Sequence, residues 1–270
     1  MLSAYVREAL RSIRYKRRLG QHFLVDDTVA SRIASFVNGE DVYEVGCGLG
    51  SLTLPLSERS AYVFCCEKDE ALALFLSREL YRRGIGNVDI MVGDALRIDL
   101  SRSSHLVVSN TPFNISSQLV VKLCYDEGLL KAYLGLQREV AERLYAKPGT
   151  REYGRLSVIS QLCFSIERLF DVPPNAFLPP PKVFTSFVRL VPLRRLGAED
   201  VRLVEEFSRR IFPYINRVVT TALRIGLGVN REVAEDLVRE SNVLGSRRVR
   251  EINPEEVLAL ARQARAKGLL

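Results

Sequence analysis

Val42-Tyr-Glu-Val-Gly46-Cys-Gly48-Leu-Gly50 decides the fold. Its first four residues are strand-favouring and mostly apolar, so they read as a short buried strand. Glycine then recurs at every second position. Such a turn bends tightly and lets backbone approach a ligand closely.

Downstream, four more runs have the same character: Tyr62–Cys66, Val88–Val92, Leu106–Ser109 and Tyr133–Leu136. Helical patterns fall between them, as in Glu70–Arg82 and Ser116–Tyr125. This alternation predicts βαβ units and a mostly parallel sheet. Phe184–Val191 follows a loop marked by Pro173, Pro174 and Pro179–Pro181, and reads as a late antiparallel strand. Beyond Pro192 the pattern is helical, over roughly 199–225, 230–240 and 254–266. Asn253-Pro254 with Glu256 starts the last of these. The expected division is a larger α/β domain over 1–192 and a small helical domain over 193–270.

Upstream, residues 1–20 carry Arg7, Arg11, Arg14, Lys16, Arg17 and Arg18 against Glu8 alone. Leu2, Val6, Leu10 and Ile13 recur at helical spacing, which predicts a basic amphipathic helix. Two roles fit this N-terminal arm: a solvated tail, or a segment touching RNA phosphates.

The chain has 270 residues and is 47% hydrophobic, a composition that folds. No apolar run approaches the ~20 residues that span a bilayer. No secretory signal opens it, so a cytoplasmic protein is expected. The net charge is +7, with 32 arginines to seven lysines, which favours a nucleic-acid partner. Cys47, Cys65, Cys66, Cys124 and Cys163 form no C-x-x-C pair and read as unpaired buried thiols. His22 and His105 are the only histidines. That argues against a zinc site and against Ser-His-Asp or Cys-His hydrolysis. No metal is expected.

Glu67 ends the second predicted strand, 21 residues after Gly46. A carboxylate there can accept hydrogen bonds from two ribose hydroxyls, which suits any adenosine-containing cofactor. Dinucleotide folds favour G-x-G-x-x-G, but position 51 is Ser51 and the pattern is G-x-G-x-G. That form suits a sulfonium and an amino acid better than a pyrophosphate. Gly93-Asp94-Ala95 ends the third strand, where Asp94 can accept from an adenine amino group.

The fourth strand stops at Asn110-Thr111-Pro112-Phe113. An exocyclic adenine amine is a poor nucleophile, because its lone pair is delocalised into the ring. The Asn110 side-chain oxygen and a backbone carbonyl near Thr111 or Pro112 can hold its two N–H bonds. The lone pair then points at an incoming methyl group, and positioning supplies much of the rate. Phe113 can stack on the base, which must be flipped out or single-stranded. C5-pyrimidine methylation needs a cysteine nucleophile, typically after proline, and the chain has no Pro-Cys dipeptide.

These residues resemble the small-subunit rRNA adenine N6,N6-dimethyltransferases, the KsgA/Dim1 family. The likeness runs from Arg18-Leu-Gly-Gln21-His22-Phe-Leu24 through the glycine turn, Glu67, Gly93-Asp94-Ala95 and Asn110–Asn114. It continues through Gln137–Leu144 and Tyr153-Gly-Arg-Leu-Ser157 to Phe177–Val183. Cys47 stands where proline is common, and Thr111 and Phe113 replace the family's usual Leu and Tyr.

The resemblance implies a Rossmann-like class I methyltransferase fold: a mostly parallel seven-stranded sheet with a late antiparallel strand, and a small C-terminal helical domain. It implies S-adenosyl-L-methionine in a pocket lined by Gln21, His22, Leu24, Gly46, Gly48, Glu67, Asp94 and Asn110. It makes Asn110 to Phe113 the catalytic loop. The implied partner is small-subunit rRNA or an immature small ribosomal subunit, dimethylated at two adjacent adenosines of its 3′ hairpin by a monomeric enzyme. The competing expectations are a resistance-type large-subunit rRNA methyltransferase, a non-catalytic RNA- or DNA-binding factor and, weakest, an NAD-dependent reductase. Arg210, Arg217 and Arg224 recur every seven residues and would form one basic stripe if a single helix held them.

Overall fold

A computed structural model describes residues 2–13, 19–98 and 105–270. The chain divides into two compact units. One comprises Met1–Lys122, Asp126–Ala141 and Glu167–Val191; the other comprises Leu123–Tyr125, Glu142–Ile166 and Pro192–Leu270. The helical region therefore also takes in residues well before 192.

The first unit is built on the apolar runs. Two residues, β1 (Phe23–Leu24), precede β2 (Val42–Val45), β3 (Val63–Glu67), β4 (Val88–Val92), β5 (His105–Asn110) and β6 (Leu129–Gln137). β7 (Phe164–Val172), β8 (Phe177–Leu178) and β9 (Thr185–Pro192) follow. Seven of these form one sheet in the order β4-β3-β2-β5-β6-β9-β7. β2 to β6 pair in parallel, and β9 runs antiparallel to β6. β2 is buried at every position, and β5 at all but Asn110. That is how a parallel strand covered on both faces reads in sequence. β1 and β8 form a separate antiparallel pair, Phe23 opposite Leu178.

From β2 the chain builds toward β3 on one side and returns to β5 on the other. The strand order thus reverses between β2 and β5, where ligands bind at the carboxyl ends of the strands in open α/β sheets. The end of β5 is tied to the end of β2 by the Ser109 hydroxyl, which donates to the Val45 carbonyl at 2.7 Å.

The N-terminal helix predicted from periodicity spans α1 (Leu2–Ser12). Leu2, Val6 and Ala9 bury its apolar face in the core, while Arg7 and Arg11 lie on its exposed side. The described part of the arm is therefore a docked helix and not a solvated tail. Arg14, Lys16, Arg17 and Arg18 lie outside the described residues.

The cysteine expectation is corrected at one pair: Cys47 and Cys65 are joined as a disulfide, their Cα atoms 6.1 Å apart. Nothing in a separation of 18 residues signals that pairing. The β2–β3 register, Val45 opposite Cys66, brings the two together. Cys66, Cys124 and Cys163 take part in no disulfide.

In the second unit, Pro213 interrupts the helix expected over 199–225. One helix, Ala198–Ile211, ends in a single 3₁₀ turn at Phe212–Tyr214, and the next spans Val219–Leu227. A proline ring cannot sit mid-helix without displacing the preceding turn. Arg210, Arg217 and Arg224 therefore fall on two helices and their connection, not on one stripe. Helices at Arg231–Glu240 and Pro254–Ala266 match the sequence reading closely. The second opens with a reciprocal cap: Asn253 Oδ1 accepts from Glu256 N at 2.8 Å, and Glu256 Oε2 accepts from Asn253 N at 2.7 Å.

Gly135 lies mid-β6, opposite Asn110 on one side and Phe187 on the other. A Cβ there would come within 2.6 Å of the Phe187 ring. That ring is fully buried and stacked on Phe170 at 5.3 Å, so it has no room to yield. Gly135→Ala is expected to lower unfolding free energy by about 1–3 kcal/mol, the usual cost of overpacking. Urea denaturation followed by circular dichroism measures this, and an unchanged midpoint would contradict the packing described.

Candidate active site

One cleft of the first unit, spanning about 880 Å³ with the open solvent at its mouth included, collects every residue the sequence nominated. Gln21, His22, Leu24, Gly46, Gly48, Glu67, Asp94, Asn110, Thr111, Pro112 and Phe113 all line it. They arrive from β1, from the turn after β2, and from the ends of β3, β4 and β5.

The glycine turn and the Asn110 loop abut. Gly46 has φ +75°, a conformation that side chains rarely adopt, and a Cβ on it would lie 3.0 Å from Pro112. The cradle between them needs a residue without a side chain. Opposite it, the Glu67 carboxylate is only 6% exposed. Its Oε2 accepts from Gly48 N and its Oε1 from Asp69 N, both at 2.8 Å. Each oxygen has two lone pairs, so the group keeps acceptor capacity for an incoming hydroxyl. Burial raises the Glu67 carboxyl above its ordinary range, partly countered by those backbone hydrogen bonds.

Asp94 Oδ2 accepts from Lys68 Nζ at 2.8 Å, and its Oδ1 accepts from Leu96 N at 3.1 Å. The Lys68 hydrogen bond holds the Asp94 carboxyl below its usual value, so the group is anionic. Gln21 Nε2 reaches Asp69 Oδ2 at 3.2 Å, and the Ser51 hydroxyl donates to the Leu24 carbonyl at 2.8 Å. These contacts tie the β1 segment to the turns after β2 and β3.

Asn110 is anchored by its amide nitrogen, which donates to the His22 carbonyl at 2.9 Å. A carbonyl can only accept, so the nitrogen is committed to the protein and the oxygen is left as the acceptor for a substrate. The His22 ring in turn donates from Nδ1 to the Pro179 carbonyl at 2.7 Å. Its centroid lies 5.1 Å from that of Phe113, tilted by 36°. Of the backbone carbonyls expected to help Asn110, Pro112 O already accepts from Ile115 N at 3.0 Å.

The structure adds residues that the sequence reading passed over. Glu44 sits in β2 inside the quoted motif, lines the cleft and has one carboxylate oxygen without a partner. Burial, reinforced by the Glu67 charge and partly offset by Thr53, pushes its carboxyl up to about 8. Lys68 was adjacent to a nominated residue yet silent, because a lysine after a strand usually means solvent. The Pro179 carbonyl and the Tyr5 hydroxyl, which donates to Leu49 O at 2.8 Å, act across long sequence separations that no local pattern reveals. Among the described residues, no group of three or more His, Cys, Asp or Glu side chains could hold a metal ion.

The donor and acceptor set fits a nucleoside cofactor carrying an amino acid. It holds a buried carboxylate with acceptor capacity to spare, an anionic partner one strand away, a side-chain-free cradle and an orphan acceptor. Comparison with known families decides which. Residues 13–264 match the family described as ribosomal RNA adenine dimethylase.

The chain belongs to the ribosomal RNA adenine dimethylase family. A relative from Pyrobaculum islandicum, named a probable ribosomal RNA small subunit methyltransferase A, is 42% identical over 84% of this chain and 93% of its own. Among solved structures, a dimethyladenosine transferase from Plasmodium falciparum superposes with a TM-score of 0.77 at 23% identity, covering 92% of this chain and 98% of its own. The 23S rRNA methyltransferase ErmE gives 0.64 at 26% identity, covering 89% and 98%. As a dimethylase of this family, the chain is an S-adenosyl-L-methionine-dependent methyltransferase acting on rRNA. Its seven-stranded sheet with one late antiparallel insertion is the class I fold expected from the resemblance. Among the described residues, no helix is long and apolar enough to cross a membrane.

Proposed function

We propose that this protein dimethylates the N6 amino groups of two adjacent adenosines in the 3′-terminal hairpin of small-subunit rRNA. We infer that it works in the cytoplasm, as a monomer, on an immature small subunit. The observation that carries the reading is the shared cleft: the ribose-type carboxylate Glu67 and the amine-type acceptor Asn110 line one cavity.

In this reading Glu67 holds the cofactor ribose, Asp94 its adenine, and the Gly46–Gly48 backbone its amino-acid end. Gln21, His22 and Leu24 close that pocket. S-adenosyl-L-methionine, when bound, supplies an electrophilic methyl group on sulfur. Asn110 Oδ1 accepts one N–H of the target amine, and a carbonyl of the Thr111–Pro112 segment accepts the other. Phe113 stacks on the flipped base, with the His22 ring behind it. The residues thus orient the amine without needing a strong base. The helical region over 193–270 is assigned to RNA binding, in keeping with the chain's arginine excess.

A second reading, large-subunit methylation, is favoured by the likeness to ErmE. The identity to relatives named for the small subunit is higher, and supports the first.

The test incubates the protein with methyl-labelled cofactor and small subunits lacking the modification, then digests the rRNA for mass spectrometry. N6,N6-dimethyladenosine at two neighbouring positions is expected. Label confined to large-subunit rRNA, or no dimethyladenosine at all, would reject the proposal.

A further inference from the structure

Three aromatic side chains are exposed among the described residues: Tyr62, Tyr81 and Phe184. Tyr62 precedes β3, at the edge of the sheet away from the cleft, and Tyr81 lies on the helix Glu70–Arg83. Phe184 differs. It immediately precedes β9, which is antiparallel, so it lies at the same edge as the carboxyl ends of β5 and β6.

The register fixes where. Asn110 is opposite Gly135, Gly135 is opposite Phe187, and Gln137 is opposite Thr185. Beyond them Arg138 N donates to the Phe184 carbonyl at 3.0 Å, extending the ladder by one step. Two strand spacings across and three residues along put Phe184 roughly 14 Å from Asn110. That is about two nucleotides along an extended strand, too far for the target base itself.

Phe184 is 40% exposed although it is a phenylalanine, and the ring is held. The Arg138 guanidinium carbon lies 4.5 Å from its centroid. Arg138 is in turn fixed by the Asp171 carboxylate, which also binds Arg168 and, at 2.6 Å, the Ser186 hydroxyl. Burial acts to raise the Asp171 carboxyl, but hydrogen bonds from Arg168, Ser186 and Arg138 outweigh it and hold the group down at about 2. It is anionic throughout the working range. Lys182, two residues upstream on the same loop, is exposed.

A fixed, partly exposed ring backed by a guanidinium, beside a free lysine-bearing loop, has the makings of a nucleobase platform. Aromatic–base stacking tolerates any sequence, and arginine adds a cation–π component. Resting on the proposed function, we propose that Phe184 stacks on a nucleotide flanking the flipped adenosine. Arg138, clamped by Asp171, is its positioning residue. The pair thereby grips the RNA strand outside the chemical centre, and helps set which of two adjacent adenosines enters the cleft.

The chain contains no tryptophan, so Phe184→Trp creates a single reporter. Its emission is titrated with a short RNA hairpin bearing two adjacent adenosines in the loop, and with hairpins carrying one abasic flanking position. Quenching by the intact hairpin is expected, with at least about half of it lost at one abasic position, since the base supplies the stacking face. With immature small subunits as substrate, Phe184→Ala is expected to raise KM about tenfold, the loss of one base stack, with kcat changed less than about twofold. Phe184→Tyr restores KM. Arg138→Gln raises KM in the same way, and adds nothing in the Phe184→Ala background.

Emission indifferent to saturating RNA, or an unchanged KM in Phe184→Ala while dimethyladenosine still forms, would overturn the platform and leave the proposed function standing. If the unaltered protein forms no dimethyladenosine, the proposed function itself fails. Calorimetric binding of S-adenosyl-L-methionine by Phe184→Ala checks folding, and is expected to match the unaltered protein.

Discussion

Asn110→Ala is expected to lower kcat at least about 10²-fold, as losing one oriented polar contact in a transition state does. Its effect on RNA affinity should be small. The reason lies in how Asn110 is held. Its amide nitrogen is bonded to the His22 carbonyl, so its oxygen is presented in a fixed direction. That oxygen is the acceptor left to take one N–H of the target amine and turn the lone pair toward the methyl group. Alanine removes both the acceptor and the anchor. Asn110→Asp separates the two roles. A carboxylate keeps an acceptor but cannot donate to a carbonyl, so the anchor becomes a repulsive oxygen–oxygen contact, and activity is expected to fall nearly as far. Single-turnover methylation with saturating cofactor isolates the chemical step. An Asn110→Ala enzyme within about threefold of the original rate would mean that the amine is oriented by something else, since misplacement by about 1 Å alone can cost 10²-fold.

The part of the fold that carries this chemistry was also the most legible. β2 and β4 fall on the boundaries read from sequence, and the β5 run lies within one residue of the observed strand. For β2 and β5 this has a physical cause: a strand buried on both faces must be almost uninterruptedly apolar, and the turn after β2 bends in ways only glycine permits. β7 was illegible for the opposite reason. Its sequence Phe164–Val172 carries Glu167, Arg168 and Asp171, and it is the last strand of the sheet. An edge strand blunted by charge resembles neither a core strand nor a helix. β1 and β8 are two residues each, too short for any period, and are recognisable only once paired.

In the candidate site, side chains at motif positions are legible in the sequence, whereas groups acting through backbone or across the fold are not. The Pro179 carbonyl beneath His22 is the clearest case, since its partner is 157 residues away. The Cys47–Cys65 bond escaped notice likewise, because it depends on strand register and not on spacing. Phe184 shows a third kind of blindness. In sequence it reads as the start of a strand, where an aromatic is expected to be buried. Its exposure emerges only from its place at the sheet edge.

Glu67→Gln is expected to weaken S-adenosyl-L-methionine binding on the order of 10²-fold. Hydrogen bonds to charged groups contribute about 1.5–3 kcal/mol each, and the proposed ribose grip uses two. The substitution is close to isosteric, so the loss does not come from packing. It comes from replacing one acceptor oxygen with an NH₂ group. Both carboxylate oxygens already face backbone donors, Gly48 N and Asp69 N, at 2.8 Å. Whichever way the amide turns, its NH₂ meets one of those N–H groups, and a donor-to-donor contact displaces either the glycine turn or the start of the following loop. The variant thus loses a ribose acceptor and disturbs the cradle that Gly46 and Gly48 form. Glu67→Ala removes the grip without the clash, and is expected to bind cofactor about as weakly while disturbing the turn less. Isothermal titration calorimetry at neutral pH compares all three proteins, with thermal unfolding as a check that each is folded. A Kd for Glu67→Gln within about threefold of the original would show that the ribose is held elsewhere. It would also break the link between the strand ends on which the cofactor assignment rests.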